Sequence, residues 1–223
     1  MSPSTVGVAG RARARGDAAR RAAARRRAAA RRRRRRLIFL GIGVSAIAIG
    51  VTFSMPLLRK AVNELTLPLA YTNVIREQAA DKHLDPALIA GVIYAETKFD
   101  PRNSAAGAIG LMQVMPQTAA FLAHRSGATT FTTADLDEPA VNIAYGSYYL
   151  RYLLDEYHGN VPVALAAYNG GESNVDQWLA EARADGHPFE VDDIPFPETR
   201  AYVTKVLSAE QDYRSKYSSQ LYP

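Results

Sequence analysis

The chain of 223 residues carries 27 Lys+Arg against 22 Asp+Glu, a net charge of +5, but that figure averages two unlike parts. Residues 1–36 hold 14 Arg and one acid, Asp17, and so carry +13, whereas the remaining 187 residues hold 13 Lys+Arg and 21 Asp+Glu, or −8. An acidic body lacks the basic face that phosphate neutralisation needs, which argues against a nucleic-acid partner. The absence of cysteine removes disulfides, thiolate metal sites and cysteine nucleophiles. The four histidines (His83, His124, His158, His187) stand far apart with no ligand spacing, so neither a metal site nor a cofactor is expected.

Taken in chain order, residues 1–36 are dominated by Arg and Ala and offer too little apolar surface to offset chain entropy, so a disordered arm is expected. Leu37 to Leu58 then runs 22 residues without a charge. At about 1.5 Å per residue it matches a hydrocarbon core of roughly 30 Å, which predicts a single transmembrane helix. A cleaved signal peptide and a twin-arginine export signal are the alternatives, but the apolar stretch of the first is normally shorter, about 7–15 residues, and Phe39 stands one place too far from the arginine pair for the second. The arginines set a cytoplasmic N-terminus by the positive-inside rule, with a linker at 59–69 and an extracytoplasmic domain at 70–223.

From Leu67 onward the pattern is helical, with segments expected near 70–82, 86–98, 117–125, 139–157, 161–169, 173–184 and 198–215. Pro86 after Asp85 and Pro139 mark helix starts; Gly127, Gly159 and the Gly170-Gly171 pair mark stops. Along 139–157, Ile143, Gly146, Leu150, Leu153 and Tyr157 form one buried stripe, on which Gly146 permits close helix approach. The expectation is one all-α domain, acting as a monomer.

Glu96 stands out for chemistry because Ile89, Val92 and Ile93 lie seven, four and three residues before it on the same helical face. A carboxyl brought into apolar surroundings has a raised pKa, as a general acid near neutral pH requires. A lone glutamate at a helix end is otherwise an ordinary solvated residue. Glu96 is followed by a loop of small residues, 100–110 (DPRNSAAGAIG), that lets backbone amides approach a ligand. Asp100 in that loop reads as an Asp-Pro turn residue. Later, Tyr168 and Asn169 precede two glycines at a helix end, placed either to cap and pack or to meet a sugar in a cleft.

Four blocks stand in order: Ala95-Glu96-Thr97-x-Phe99; Gly107-Ala108-x-Gly110-Leu111-Met112-Gln113-x-Met115-Pro116; Ala167-Tyr168-Asn169-Gly170-Gly171; and Pro197-Glu198-Thr199-x-x-Tyr202-Val203. Together they resemble the catalytic domain of the soluble lytic transglycosylase (SLT) family, over about residues 70–215. The resemblance implies a lysozyme-like helical fold with Glu96 as the single catalytic acid and base. It also implies Ser104, Met112, Gln113, Tyr168, Asn169, Glu198 and Tyr202 as substrate-binding residues. The substrate it implies is peptidoglycan, cut between N-acetylmuramic acid and N-acetylglucosamine with closure of a 1,6-anhydro ring. Thr97 departs from the family's more frequent Ser, and Gly170 from its frequent Ala.

Substrate-assisted cleavage needs one carboxyl, whereas ordinary glycosidases need two. A hydrolytic muramidase of goose-type lysozyme character and a non-catalytic peptidoglycan-binding protein are the alternatives that the motifs leave open. Glu198, in the first turn of the last helix, equally suits the helix dipole. Tyr202 shares a stripe with Val206, Ala209 and Tyr213, which makes it partly a core residue.

Overall fold

The computed structural model describes residues 67–222; the expected arm at 1–36, the membrane helix at 37–58 and most of the linker at 59–69 lie outside the described residues. The described chain folds into eight α-helices: α1 Thr72–Lys82, α2 Pro86–Thr97, α3 Pro116–Ser126, α4 Pro139–Glu156, α5 Val161–Gly170, α6 Glu172–Ala184, α7 Pro197–Lys216 and the short α8 Ser218–Leu221. Single 3-10 turns occur at Thr133–Asp137 and Val191–Asp193. Among the described residues the only β pairing is one antiparallel bridge between Ile109 and Val114, and no helix is long and apolar enough to cross a membrane. All seven expected helices form with ends shifted by two residues at most, while α8 and the two 3-10 turns, too short to carry a periodic signal, are additions.

Proline fixes many of the starts. Pro86, Pro116, Pro139 and Pro197 each open a helix at its first position, where the missing N–H has no intrahelical partner to lose. Asp85 adds a side-chain cap by accepting from the Ala87 N–H at 2.7 Å, and Asn160 caps α5 in the same way through Val163 N–H.

Helix α2 is the centre of the fold. Residues 87–93 are buried without a break, so the helix is covered on all sides rather than along one stripe. Its broadest partner is α7, and the two backbones meet at Gly91, where an added Cβ would stand 3.1 Å from the Val206 carbonyl and 3.2 Å from the Glu210 nitrogen. Helices α1, α4 and α5 complete the apolar centre around Ile75, Leu150, Leu153 and Leu165. The start of the described chain is tied to α7: Tyr213 and Tyr217 donate their hydroxyl protons to the carbonyls of Pro68 and Leu67.

Along α4 the stripe Ile143, Gly146, Leu150 and Leu153 is buried, and Tyr157 at its end is half-buried. Gly146 does permit a close approach, but what approaches is a loop rather than a helix. An added Cβ would lie 2.5 Å from Met112 Sδ and 2.7 Å from Met112 Cβ. The Met112 side chain therefore fills the notch that the glycine leaves, and it is fully buried. Gly146→Val is expected to lower stability by about 3 kcal/mol, the upper end of ordinary overpacking. Urea unfolding of the purified protein measures this, and an unchanged midpoint would contradict the packing described.

Candidate active site

The site is assembled where the C-terminus of α2 meets the loop 100–115, the end of α5 and the first half of α7. Helix α2 stops at Thr97, and Lys98 and Phe99 then adopt φ of 53° and 61°. Two consecutive non-glycine residues in the left-handed region are costly; here they turn the chain sharply just beyond Glu96. Thr97, fully buried, holds this end in place: its hydroxyl donates to the Leu111 carbonyl at 2.8 Å, with the Ile93 carbonyl at 3.2 Å. A threonine performs this task as well as a serine and adds a methyl to the core.

The loop is pinned by a residue that sequence reasoning missed. Asn142, fully buried on α4, accepts from the Met112 N–H at 2.8 Å and donates to the carbonyls of Ile109 at 2.8 Å and Leu136 at 3.0 Å. One amide thus satisfies three backbone groups in a dry place. Gly110 makes room for it: φ is +74°, and an added Cβ would lie 2.3 Å from Asn142 Nδ2. A signal was present in the sequence, since Asn142 stands four residues before Gly146 and eight before Leu150 on the buried face of a long helix, where asparagine is a poor choice unless it is bonded.

Of the expected site residues, Ser104 accepts from the Ala108 N–H at 3.0 Å, so its hydroxyl braces its own loop. Gln113, with φ of 49°, donates to the carbonyls of Arg102 and Gly110 at 2.7 and 2.8 Å. Met112 presents its carbonyl to the Tyr168 hydroxyl at 2.9 Å, while its thioether is in the core rather than on an open wall. Asn169 is exposed, and its Oδ1 accepts from the Thr199 hydroxyl at 2.8 Å. Glu198 is exposed in the first turn of α7.

Gln113, Asn169 and Glu198 border two adjoining grooves, whereas Ser104 and Met112 line neither. One, of about 320 Å³, runs between Gln113, Tyr149, Tyr168 and Asn169. The next, of about 420 Å³, continues from Asn169 and Gly170 to Phe196, Glu198 and Thr199. Tyr149, which was not singled out from the sequence, lies against Tyr168 with ring centroids 5.3 Å apart.

Glu96 is half-buried and faces two tyrosines. Burial pushes its carboxyl up to about 7, and this outweighs the opposing pull of the Tyr202 hydroxyl and of the Lys205 and Arg102 cations. Tyr202 is buried; its hydroxyl feels the Glu96 carboxyl yet completes no hydrogen bond of ordinary geometry among the described residues. The Tyr168 phenol is also pushed well above its ordinary value, first by burial and then by the Glu96 charge. Lys205 reaches the same place from α7, donating to the Ala95 carbonyl at 2.7 Å. None of the neighbours acting on Glu96 is a carboxylate, and among the described residues no three acidic or histidine side chains gather as a metal site.

Two outcomes are expected from this geometry. Asn142→Ala removes the bonds to the Met112 N–H and the Leu136 carbonyl and one of the two to the Ile109 carbonyl, which the Val114 N–H also reaches at 3.0 Å, and should cost about 3 kcal/mol, read by thermal unfolding; a loss under about 1 kcal/mol would contradict its role as the loop's clamp. Because the folded-state pKa of Glu96 lies above the ordinary carboxyl value, the native state holds this proton more tightly. That stabilisation is complete below about 4.5 and is lost as pH rises through about 7. Glu96→Gln should therefore raise the melting temperature at pH 8 and match the parent at pH 4. Equal shifts at both pH values would refute the burial of the charge.

The profile of the Transglycosylase SLT domain matches residues 73–187. The chain is 34% identical over 155 residues to the soluble lytic murein transglycosylase of Escherichia coli K12, covering 68% of this chain and 24% of that protein. It is 32% identical over 167 residues to the membrane-bound lytic murein transglycosylase C of Glaesserella parasuis, covering 65% and 46%. The fold resembles that of an inactive mutant of lytic transglycosylase Slt from Pseudomonas aeruginosa, with a TM-score of 0.62, 32% identity and coverage of 68% of this chain and 25% of that one. The chain thus spans about a quarter of the length of the E. coli relative.

Proposed function

From the fact that this chain belongs to the transglycosylase SLT family, we propose that it is a peptidoglycan lytic transglycosylase with Glu96 as its catalytic acid and base. The observation that carries this reading is a half-buried carboxyl with its pKa pushed up to about 7, interacting with Tyr168 and Tyr202 and with no carboxylate acting on it. A group so poised is protonated often enough to give a proton and is basic enough to take one back. Two-carboxylate hydrolysis has no second member to call on, which favours assistance by the substrate's own acetamido group.

Glu96 protonates the glycosidic oxygen between N-acetylmuramic acid and N-acetylglucosamine, and the C1–O bond breaks. The 2-acetamido group stabilises the cationic C1. The C6 hydroxyl of the muramyl residue then attacks C1 while the Glu96 carboxylate removes its proton, closing the 1,6-anhydro ring. Glu96 is restored to its acid form and no water is consumed. Tyr202, whose hydroxyl lacks a settled partner, steadies the Glu96 carboxylate formed after the first step. Tyr168 and Asn169 serve as sugar contacts, Gln113 contributes through the oxygen of its amide, and Glu198 sits on the far wall of the second groove. Ser104 and Met112 act through the loop that they shape, Met112 also through its carbonyl.

The same reading assigns residues 37–58 to a single membrane anchor with a cytoplasmic arm at 1–36 and a monomeric catalytic domain at 70–223 outside the membrane. The uncharged length of that segment and the arginine tract before it support this, as does the likeness to a relative described as membrane-bound.

Glu96→Gln should reduce release of soluble fragments from purified sacculi by at least about a thousandfold, as expected for loss of acid and base roles together. The parent's kcat/KM should fall as pH rises through about 7. A Glu96→Gln variant with near-normal turnover would overturn the assignment.

A further inference from the structure

Asn169 lines both sugar grooves and stands where they meet. It is exposed near the end of α5, and its amide has two faces of opposite character: with the oxygen toward the groove it accepts, with the nitrogen toward the groove it donates. Which way it is held decides the kind of sugar atom it recognises.

One neighbour makes that choice. Pro197 opens α7, so Thr199, the third residue of that helix, is set in its first turn against the end of α5. It is only 3% exposed. Gly170 forms its seat: an added Cβ there would lie 3.2 Å from both Cγ2 and Oγ1 of Thr199, and 3.3 Å from the Trp178 ring. A β-branched side chain confined in this way keeps one rotamer, and its hydroxyl donates to Asn169 Oδ1 at 2.8 Å. That hydroxyl makes no other hydrogen bond among the described residues. Turning the amide over would bring its nitrogen to the hydroxyl oxygen and leave a buried hydroxyl proton without an acceptor, which is unfavourable. The Asn169 amide nitrogen, which has no hydrogen-bond partner among the described residues, is thereby left to the grooves with both of its protons.

We infer that Thr199 is a positioning residue for the glycan: it holds the Asn169 amide so that its nitrogen donates to an acceptor oxygen of the sugar chain at the junction of the two grooves. The inference rests on the peptidoglycan reading above and adds to it the direction of one hydrogen bond and the residue that sets it. The walls of the second groove then have complementary tasks. Glu198 accepts from sugar hydroxyls as a carboxylate does, and Asn169 donates. Tyr168 does not duplicate the donor, since its own proton is given to the Met112 carbonyl.

Two readouts test this: kcat and KM for release of soluble fragments from purified sacculi by the full-length protein in detergent, and the Kd of uncrosslinked glycan strands for the same variants carried on Glu96→Gln, by calorimetry. Thr199→Val, similar in shape but without the hydroxyl, should raise KM and Kd by about two- to tenfold, as expected for one hydrogen bond, with kcat near the parent's. Thr199→Ser restores the hydroxyl and should return both constants to within about twofold of the parent. Asn169→Asp keeps an acceptor for Thr199 but offers the groove no donor, and should weaken binding at least as much as Asn169→Ala. On Asn169→Ala, Thr199→Val should have no further effect. Parental KM and Kd in Thr199→Val, equal losses with Ser and Val at 199, parental binding by Asn169→Asp, or additive losses in the double variant would each overturn the assignment. A parent protein that binds strands but leaves sacculi uncut would overturn the enzymatic reading instead, with the Kd series still deciding the role of Thr199. A parent that neither binds nor cuts would overturn both.

Discussion

Keeping one carboxyl group largely out of water at the end of a central helix is the constraint around which this domain is organised. An uncompensated carboxylate there is unfavourable by desolvation, and the cations near it, Lys205 and Arg102, pull in the opposite direction without restoring the ordinary pKa. The fold tolerates this because α2 is fixed along nearly its whole length, by α7 across Gly91 and by the apolar residues 87–93. The helix cannot rotate to expose Glu96 without uncovering its own core. Rigid support of a poorly solvated acid is what a proton-transfer site needs.

The second requirement is a loop held in one shape over that acid. Its backbone is irregular, with positive φ at Gly107, Gly110 and Gln113, so it cannot satisfy its own polar groups by helix or sheet ladders. Three buried partners supply what is missing: Asn142 from α4, Thr97 from α2 and the Tyr168 hydroxyl from α5. Each comes from a different helix. The position of the loop is therefore a consequence of how the helices pack, and a change in packing at Gly146 reaches the site through Met112.

The helices were legible because proline and glycine punctuate them and because their apolar positions repeat at steps of three and four. Glu96 was legible for the same reason, at the end of the Ile89, Val92 and Ile93 stripe, all three of which are buried. What the pattern did not reveal depends on partners distant in sequence. Met112 reads as a loop residue, yet a notch left by Gly146, 34 positions later, draws it fully into the core. Asn142 reads as an unremarkable helical asparagine until the loop carbonyls that it meets are placed. The left-handed turn at Lys98 and Phe99 carries no glycine to announce it; it is imposed by the hydrogen bonds of Thr97 and the packing of the Phe99 ring against Tyr213.

In the proposed reaction a single acid serves both steps, and the acceptor is a hydroxyl of the same sugar rather than water. Mass spectrometry of the fragments released from sacculi by the full-length protein tests this most directly. Muramyl ends lighter by one water, and resistant to borohydride reduction, are the result expected of intramolecular ring closure. Reducible muramyl ends at full mass would show that water is the acceptor and would contradict the mechanism.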